Sequence, residues 1–208
     1  MIVKVCGMRD AENICQVEEL RPNWMGFIFW PKSKRYVSKY PEYMPIYCQR
    51  VGVFVDEDIE QVKLIADDFA LDIIQLHGSE SPEYARQLRK WKVIKAFNIA
   101  TADDLEVTKP YEGMVDYFLF DTRKPFVEAG GCVPPGGTGL KFDWSVLDAY
   151  QGSTSFLLSG GIGPDDAERV RNFRHEKCIG IDLNSRFETA PGLKDVNKLR
   201  KFIKTIRQ

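Results

Sequence analysis

Short apolar segments alternate with longer amphipathic ones along the whole chain, and this alternation limits the possible folds more than any other feature. The apolar segments are five or six residues long and rich in Val, Ile and Phe. Continuous apolar runs are typical of parallel strands buried on both faces. We predict eight strands, at Ile2–Cys6, Trp24–Phe29, Arg50–Val55, Ile73–His77, Val93–Phe97, Tyr117–Asp121, Ser155–Ser159 and Cys178–Leu183.

The segments between these strands have the spacing of helices. Apolar residues fall on one stripe in 59–69 and again in 196–206, and Ser81-Pro82 places a capping residue before a first-turn proline. The helical pattern is weaker at 38–49 and 102–109, where prolines and β-branched residues disturb it.

Eight strands alternating with eight helices predict an α/β fold, a single-domain (β/α)8 barrel of the TIM type over residues 1–208. The alternative is an open, doubly wound sheet. That fold often carries a GxGxxG motif after its first strand, and the motif is missing here.

Composition excludes several classes of function. The net charge is −1 and basic residues form no large block, so neither nucleic acid nor an anionic membrane is an expected partner. The five cysteines are odd in number and lack CxxC spacing, which argues against a disulfide framework or a zinc site. No signal peptide or apolar run of roughly 20 residues is present, so we expect a cytoplasmic protein.

Reactive residues stand where predicted strands end, which is where such barrels form their active sites. They are Cys6, His77, Asp121, Ser159 and Asp182. Cys6 is a thiolate that abstracts a proton, which requires positive surroundings, or a nucleophile, or a small buried apolar residue. Asp121 is either a general acid kept protonated by its apolar setting or a structural cap or ion-pair partner.

A phosphate site is predicted after the seventh and eighth strands. Gly160 and Gly161 follow the seventh strand, and glycines let backbone N–H groups approach an anion. Asn184 and Ser185 after the eighth strand would complete the cradle, although the glycine pair could also be an ordinary tight turn.

Three further features await a role. Arg35 suits bidentate binding of a carboxylate, or it lies at the surface. His77 is a proton carrier, a substrate contact or a structural histidine, and with His175 it forms no metal-binding cluster. The glycine- and proline-rich segment 123–139 is long enough to be a functional lid.

Taken in order, these landmarks resemble the phosphoribosylanthranilate isomerase family over essentially the whole chain. Each motif is weak alone, but the ordered set is highly specific. The matching segments are Lys4-Val5-Cys6-Gly7, Gly26–Phe29 with Ser33 and Arg35, Gln75-Leu76-His77-Gly78, Phe120-Asp121, Gly136-Gly137-Thr138-Gly139 with Phe142-Asp143-Trp144, Leu158–Ile162, Gly180-Ile181-Asp182, and Glu188 with Pro191-Gly192 and Lys194-Asp195.

The resemblance implies an Amadori rearrangement in tryptophan biosynthesis, with no cofactor and no metal. Asp121 would protonate the sugar-ring oxygen, and Cys6 would remove the proton at sugar C2. Arg35 would hold the anthranilate carboxylate. The other residues expected to bind this small phosphorylated substrate are His77, Gly137, Gly160, Gly161, Asp182, Asn184 and Ser185. We expect a monomer or a homodimer.

Two departures and two alternatives remain. After the eighth strand the family more often reads Val-Ser-Ser-Gly than Leu183-Asn184-Ser185-Arg186, and segment 123–139 is unusually rich in proline. One alternative is the histidine-pathway isomerase of ProFAR, which is also a barrel that performs an Amadori rearrangement. Members of that family carry aspartates at both catalytic positions, whereas Cys6 stands at one of them here. A barrel that binds sugar phosphates without turnover is the other alternative.

Overall fold

Eight parallel strands close into a barrel, in which each strand pairs with the next along the chain and the last pairs with the first. The (β/α)8 prediction is thus confirmed, with strand bounds within two residues of those predicted. The structure is a computed structural model that describes residues 1–122 and 144–208. The strands are β1 (Ile2–Cys6), β2 (Trp24–Ile28), β3 (Gln49–Phe54), β4 (Ile73–Leu76), β5 (Lys92–Ile99), β6 (Tyr117–Thr122), β7 (Phe156–Ser159) and β8 (Cys178–Leu183).

Helices cover the outside of the barrel, and four of them begin at a side-chain cap. Asp10, Asp58, Ser81 and Asp195 each accept a hydrogen bond from a first-turn backbone N–H, which satisfies a donor that the helix itself leaves unpaired. The α-helices in the described ranges are α1 (Ala11–Glu18), α2 (Ile59–Asp68), α3 (Pro82–Arg86), α4 (Ala167–Asn172) and α5 (Val196–Ile206).

The prediction of eight helices is wrong at residues 38–49. That segment contains bends and irregular backbone up to the start of β3 at Gln49, because Pro41 and Pro45 remove backbone donors and restrict the residues before them. The other weak segment forms a 3-10 helix, Ala102–Tyr111, with Pro110 inside it. Further 3-10 turns lie at Trp144–Ala149, Pro164–Asp166 and Ser185–Phe187.

The barrel interior is apolar at one end and polar at the other. Side chains such as Trp24, Val51, Ile73 and Leu119 form a buried cluster of their own, separate from the larger core between strands and helices. Nearer the carboxyl ends of the strands the inward positions carry polar residues. The apolar layer therefore supports the polar site from below.

A short antiparallel hairpin follows β8 at the rim of the barrel. Its strands are β9 (Glu188–Ala190) and β10 (Leu193–Lys194). The buried Asn13 of α1 binds the backbone of Lys194 twice: its Nδ2 donates to the carbonyl oxygen at 2.9 Å, and its Oδ1 accepts from the amide at 2.7 Å. This contact fixes the hairpin against the first helix.

Candidate active site

A cavity of about 350 Å³ opens at the carboxyl ends of the strands. It brings together most of the predicted site residues, from strands far apart in sequence. The two catalytic candidates, Cys6 and Asp121, both line it. So do His77, Ser159, Gly160, Gly161, Asp182, Asn184 and Ser185. Arg35 is not among the lining residues, and Gly137 and segment 123–139 lie outside the part of the chain that the structure describes.

Cys6 is the last residue of β1, and it is only 3% exposed. Gly26 is its register partner on β2, and a Cβ atom at position 26 would lie 2.7 Å from the sulfur. Glycine is therefore the residue that leaves room for the thiol between these two strands.

Lys4 lies on the same face of β1 as Cys6 and is fully buried inside the barrel. Its Nζ donates to Oε1 of Gln75 at 2.7 Å and lies 3.1 Å from Oδ1 of Asp182, and its charge interacts with the thiol of Cys6. Burial alone would lower the pKa of Lys4, but the attraction of Asp182 and Cys6 outweighs it and raises the pKa. A permanent cation therefore lies next to the thiol.

Burial nevertheless raises the pKa of Cys6 above that of a free thiol. Lys4 and Lys194 act in the opposite direction, while Asp182 adds to the rise. The positive surroundings that a thiolate base requires are present, but they do not outweigh the cost of desolvating the thiolate.

A polar row crosses the barrel from Lys4 to Asp121. The amide of Gln75, on β4, contacts Lys4 through its oxygen and His77 through its nitrogen, with Nε2 lying 2.9 Å from Nδ1 of the imidazole. Nε2 of His77 lies 4.0 Å from Oδ2 of Asp121, whose side chain is 22% exposed. The candidate acid is thus connected through two side chains to the cation beside the candidate base.

The predicted phosphate loops meet on one side of the cavity. Gly160 and Gly161 have φ values of 89° and 67°, a region that side-chain-bearing residues rarely adopt. No atom of residues 1–122 or 144–208 lies within 4 Å of the Cβ position of Gly161, so this part of the protein leaves the backbone there open to a ligand. Arg186 also lines the cavity, so the departure from the family pattern adds a cation on this side.

Arg35 belongs to a charged cluster at the rim. Its Nε and one terminal nitrogen donate to the two oxygens of Glu188 at 2.8 and 2.5 Å, and Lys194 donates to the same carboxylate at 2.6 Å. Burial alone would raise the pKa of Glu188, but hydrogen bonds from Arg35 and Lys194 lower it to about 2. Lys194 also donates to Asn184 at 2.8 Å, which joins the cluster to the cavity wall.

Gly7 explains how Arg35 reaches this position. Its φ of 77° is left-handed, and a Cβ there would lie 2.6 Å from Cδ of Arg35 and 2.7 Å from Oδ1 of Asn184. The loop after β1 therefore leaves space for the arginine to pass close to the residues of the predicted phosphate site.

Four residues of this region were not among the predicted site residues: Lys4, Gln75, Glu188 and Lys194. Two of them carried a local signal, because Lys4 and Gln75 are polar residues within otherwise apolar strands, where an unpaired polar group would be costly. Glu188 and Lys194 fall in a hairpin that the strand pattern did not predict.

Residues 1–122 and 144–208 contain no group of three His, Cys, Asp or Glu side chains placed to hold a metal ion. Over the same ranges, we find no helix with the length and apolar character required to cross a bilayer.

Comparison with known proteins gives one family. The model of the N-(5'-phosphoribosyl)anthranilate isomerase family matches residues 3–205. The N-(5'-phosphoribosyl)anthranilate isomerase of Parabacteroides distasonis is 51% identical over 99% of this chain and 93% of its own length.

Solved structures agree with this result. A phosphoribosylanthranilate isomerase in complex with reduced 1-(o-carboxyphenylamino)-1-deoxyribulose 5-phosphate is 29% identical, with a TM-score of 0.78 over 100% of this chain and 99% of that one. Monomers generated from the dimeric isomerase of Thermotoga maritima are 28% identical, with a TM-score of 0.77 and the same coverage.

Proposed function

This chain belongs to the N-(5'-phosphoribosyl)anthranilate isomerase family, and from that premise we propose that Cys6 is the general base and Asp121 the general acid of its reaction. The reaction is the Amadori rearrangement of N-(5-phosphoribosyl)anthranilate to 1-(2-carboxyphenylamino)-1-deoxyribulose 5-phosphate, a step of tryptophan biosynthesis. One observation carries the assignment: a thiol from β1 and a carboxyl from β6 line the same cavity.

In the first half of the reaction, Asp121 gives its proton to the ring oxygen of the ribose. The bond between C1 and that oxygen breaks, and the nitrogen lone pair forms a C1=N iminium. Cys6, as a thiolate, then takes the proton from C2. The electrons of the broken C–H bond form a C1=C2 double bond and neutralise the iminium, which gives an enolamine.

In the second half, the enolamine becomes the ketone. Cys6 returns its proton to C1, and the C2 hydroxyl gives its proton to the carboxylate of Asp121. Both groups are then back in their starting states, a thiolate and a carboxylic acid. Each proton is accounted for by these two side chains, so the cycle needs no other acid or base.

The two groups need opposite protonation states at one pH, and their surroundings support this. Burial raises the pKa of Cys6, but Lys4 lies beside it and favours the thiolate. The iminium of the opened substrate brings a second positive charge toward the thiol. We therefore infer that the thiolate becomes most favourable when the intermediate occupies the cavity.

The remaining predicted residues bind the substrate in this proposal. The backbone at Gly160 and Gly161, together with Asn184 and Ser185, would hold the phosphate, and Arg186 adds charge on that side. Arg35 would reach the anthranilate carboxylate from the rim, where its geometry is fixed by Glu188.

Three further residues have more specific roles. Asp182 contributes mainly through Lys4, His77 offers a polar contact near Asp121, and Gly137 is assigned to substrate binding by the family resemblance alone.

We place the reaction in the cytoplasm. A homodimer is the favoured assembly, since the Thermotoga maritima relative is described as dimeric.

The test is a fluorescence assay that follows consumption of freshly made phosphoribosylanthranilate. Cys6→Ala and Asp121→Ala should each lower kcat by at least about 100-fold, the usual scale for loss of a general acid or base. Cys15→Ala is the matched control, because this exposed cysteine lies on α1 outside the cavity and should leave kcat unchanged.

Turnover close to that of the unmodified enzyme in either cavity variant would remove the role assigned to that residue. Binding of the reduced product analogue without any turnover of substrate by the unmodified chain would instead favour a barrel that binds sugar phosphates and does not catalyse. Parallel measurement with ProFAR as substrate checks the neighbouring activity.

A further inference from the structure

We propose that Gln75 is a positioning residue that holds His77 as a neutral imidazole, with its single proton on Nε2 and directed toward Asp121. The observation behind this proposal is the polar row that runs from Lys4 through Gln75 and His77 to Asp121. Each step follows from which atoms can donate a hydrogen bond and which can only accept one.

The row begins at Lys4, which fixes the orientation of the Gln75 amide. An ammonium group has three donors and no acceptor, so the amide must turn its oxygen toward Nζ, at 2.7 Å. Lys4 is fully buried, and Asp182 lies 3.1 Å from the same nitrogen and stabilises its charge. An inverted amide would aim its NH₂ group at the cation and lose this hydrogen bond.

With the amide oxygen on Lys4, the NH₂ group of Gln75 faces His77. The contact joins Nε2 of the amide to Nδ1 of the imidazole at 2.9 Å. An NH₂ group can only donate, so Nδ1 must accept and cannot carry a hydrogen. The proton of a neutral imidazole therefore lies on Nε2, and the doubly protonated imidazolium is disfavoured.

Because Gln75 is buried, its side-chain amide cannot turn over or exchange these partners for water. The residue is 1% exposed within β4, whose backbone pairs with β3 and β5 on either side. Its two amide atoms are engaged at once, by Lys4 from β1 across the barrel and by His77, which directly follows the end of β4. The side chain thus has one satisfied arrangement.

The consequence for catalysis concerns Asp121, and it rests on the proposed role of Asp121 as the general acid. Among residues 1–122 and 144–208, the titratable or charged side chains that line the cavity with His77 are Cys6, Asp121, Asp182 and Arg186, and Lys4 lies behind Gln75. A cationic imidazole 4.0 Å from the carboxyl would favour the carboxylate, which has no proton to give. A neutral imidazole avoids that attraction and keeps a donor pointing into the cavity.

The contact with Gln75 also distinguishes between the three roles that the sequence left open for His77. A proton carrier must pass through the imidazolium state, which Gln75 opposes. The geometry favours a neutral hydrogen-bond donor on the cavity wall. The role of Gln75 is to place the proton of His77 on Nε2 and not on Nδ1, without touching the substrate itself.

The direct test is nitrogen NMR of the two imidazoles in the enzyme without substrate. The chain has only two histidines, so His175→Gln assigns both ring systems. We expect His77 at pH 7 to be neutral, with a protonated Nε2 and a bare Nδ1. A hydrogen on Nδ1, or an imidazolium at pH 7, would overturn the proposal even if no variant folds.

Two variants of Gln75 sharpen the measurement. Gln75→Glu keeps an acceptor for Lys4 and presents a carboxylate to Nδ1, so the titration midpoint of His77 should rise by about 1–3 pH units, the usual effect of an adjacent opposite charge. Gln75→Met has a similar size and no amide, and it should leave His77 as a mixture of tautomers. An unchanged midpoint in Gln75→Glu would contradict the proposed contact.

Activity supplies the readout that a purely structural role would not change. In Gln75→Glu we expect His77 to be cationic at pH 7 and to lower the pKa of Asp121. A fall of one unit in that pKa leaves about a tenth as much protonated acid, so kcat should fall at least about tenfold. In a His77→Asn background the same substitution should change kcat by less than about twofold, since no cation then forms beside Asp121. An equal loss in both backgrounds would make Gln75 a structural residue only.

Failure of this proposal and failure of the catalytic assignment are distinguishable. The tautomer of His77 is measured without substrate and does not depend on what Asp121 does. If Asp121→Ala retained full turnover while His77 showed the Nε2–H form, the acid would be reassigned and the positioning by Gln75 would stand.

Discussion

The space at Gly26 gives a sharp test of how Cys6 is positioned. In Gly26→Ala the new Cβ would lie 2.7 Å from Sγ, 3.1 Å from Cα and 3.2 Å from Cβ of Cys6. Non-bonded heavy atoms pack best at about 3.5–4.0 Å, so the shortest contact is roughly 0.8 Å too close. The sulfur can swing away, but Cα is backbone, so β1 and β2 must also move apart.

The expected magnitudes follow from this displacement. Overpacking of this kind costs about 1–3 kcal/mol of the free energy of unfolding. For a chain of this size, about 2–4 °C of Tm is lost per kcal/mol, which gives a fall of about 2–12 °C. Misplacement of a reacting group by about 1 Å costs up to about 100-fold, so kcat should fall by roughly 30–100-fold. KM should change little, because the predicted phosphate site lies on other strands.

Gly113→Ala is the control for loss of stability alone. Gly113 has a φ of 72° and no described residue within 4 Å of its Cβ position, so alanine adds backbone strain of about 1–2 kcal/mol without a clash against that part of the chain. The assay is substrate consumption by both variants at a temperature where each is folded, with thermal melts in parallel. If Gly26→Ala kept kcat within about threefold of the unmodified enzyme, or if Gly113→Ala lost as much, the space beside Cys6 would not be what positions the thiol.

The remaining predictions concern charge. Lys4→Met should lower the free energy of unfolding by about 3–5 kcal/mol, measured in urea, because it leaves Asp182 buried without its cation, and adding Asp182→Asn should recover part of that loss. Glu188 has its pKa lowered to about 2, so its ion pairs stabilise the fold above about pH 4.3 and are lost as the pH falls toward 2. Thermal melts between pH 2 and 6 should show this dependence weakened in Glu188→Gln. Arg35→Ala should mainly raise KM in steady-state assays, and an unchanged KM would remove Arg35 from substrate binding.

Much of the fold was predictable because strands buried on both faces leave a local signature. An almost wholly apolar segment such as Val51–Val55 or Phe118–Phe120 must be buried on both faces, and in a small barrel a strand of the central sheet is the position that buries it. Helices between the strands were less certain, since their outward faces respond to single prolines. Segment 38–49 shows this, because its length suits a helix and its prolines prevent one.

The site was predictable to the extent that it depends on strand ends. Cys6 and Asp121 could be placed because the carboxyl ends of parallel strands share one face of the barrel. The partners of Lys4 could not, since Gln75 is 71 positions away on a strand that does not neighbour β1. Nor could the balance at Cys6 be predicted, because both lysines near the thiol and the larger effect of burial on its pKa depend on the assembled barrel.

The pairing of Lys4 with Asp182 joins the first strand of the barrel to the last, and this has a consequence for the growing polypeptide on the ribosome. At about 5–20 residues per second, roughly 10–35 s separate the synthesis of the two residues. Throughout that interval the nascent chain carries a cation that cannot be buried cheaply. We therefore expect the charge of Lys4 to disfavour collapse of an incomplete barrel until the closing strand emerges. The same internal charge thus favours complete assembly during folding and, in our proposal, catalysis in the finished enzyme.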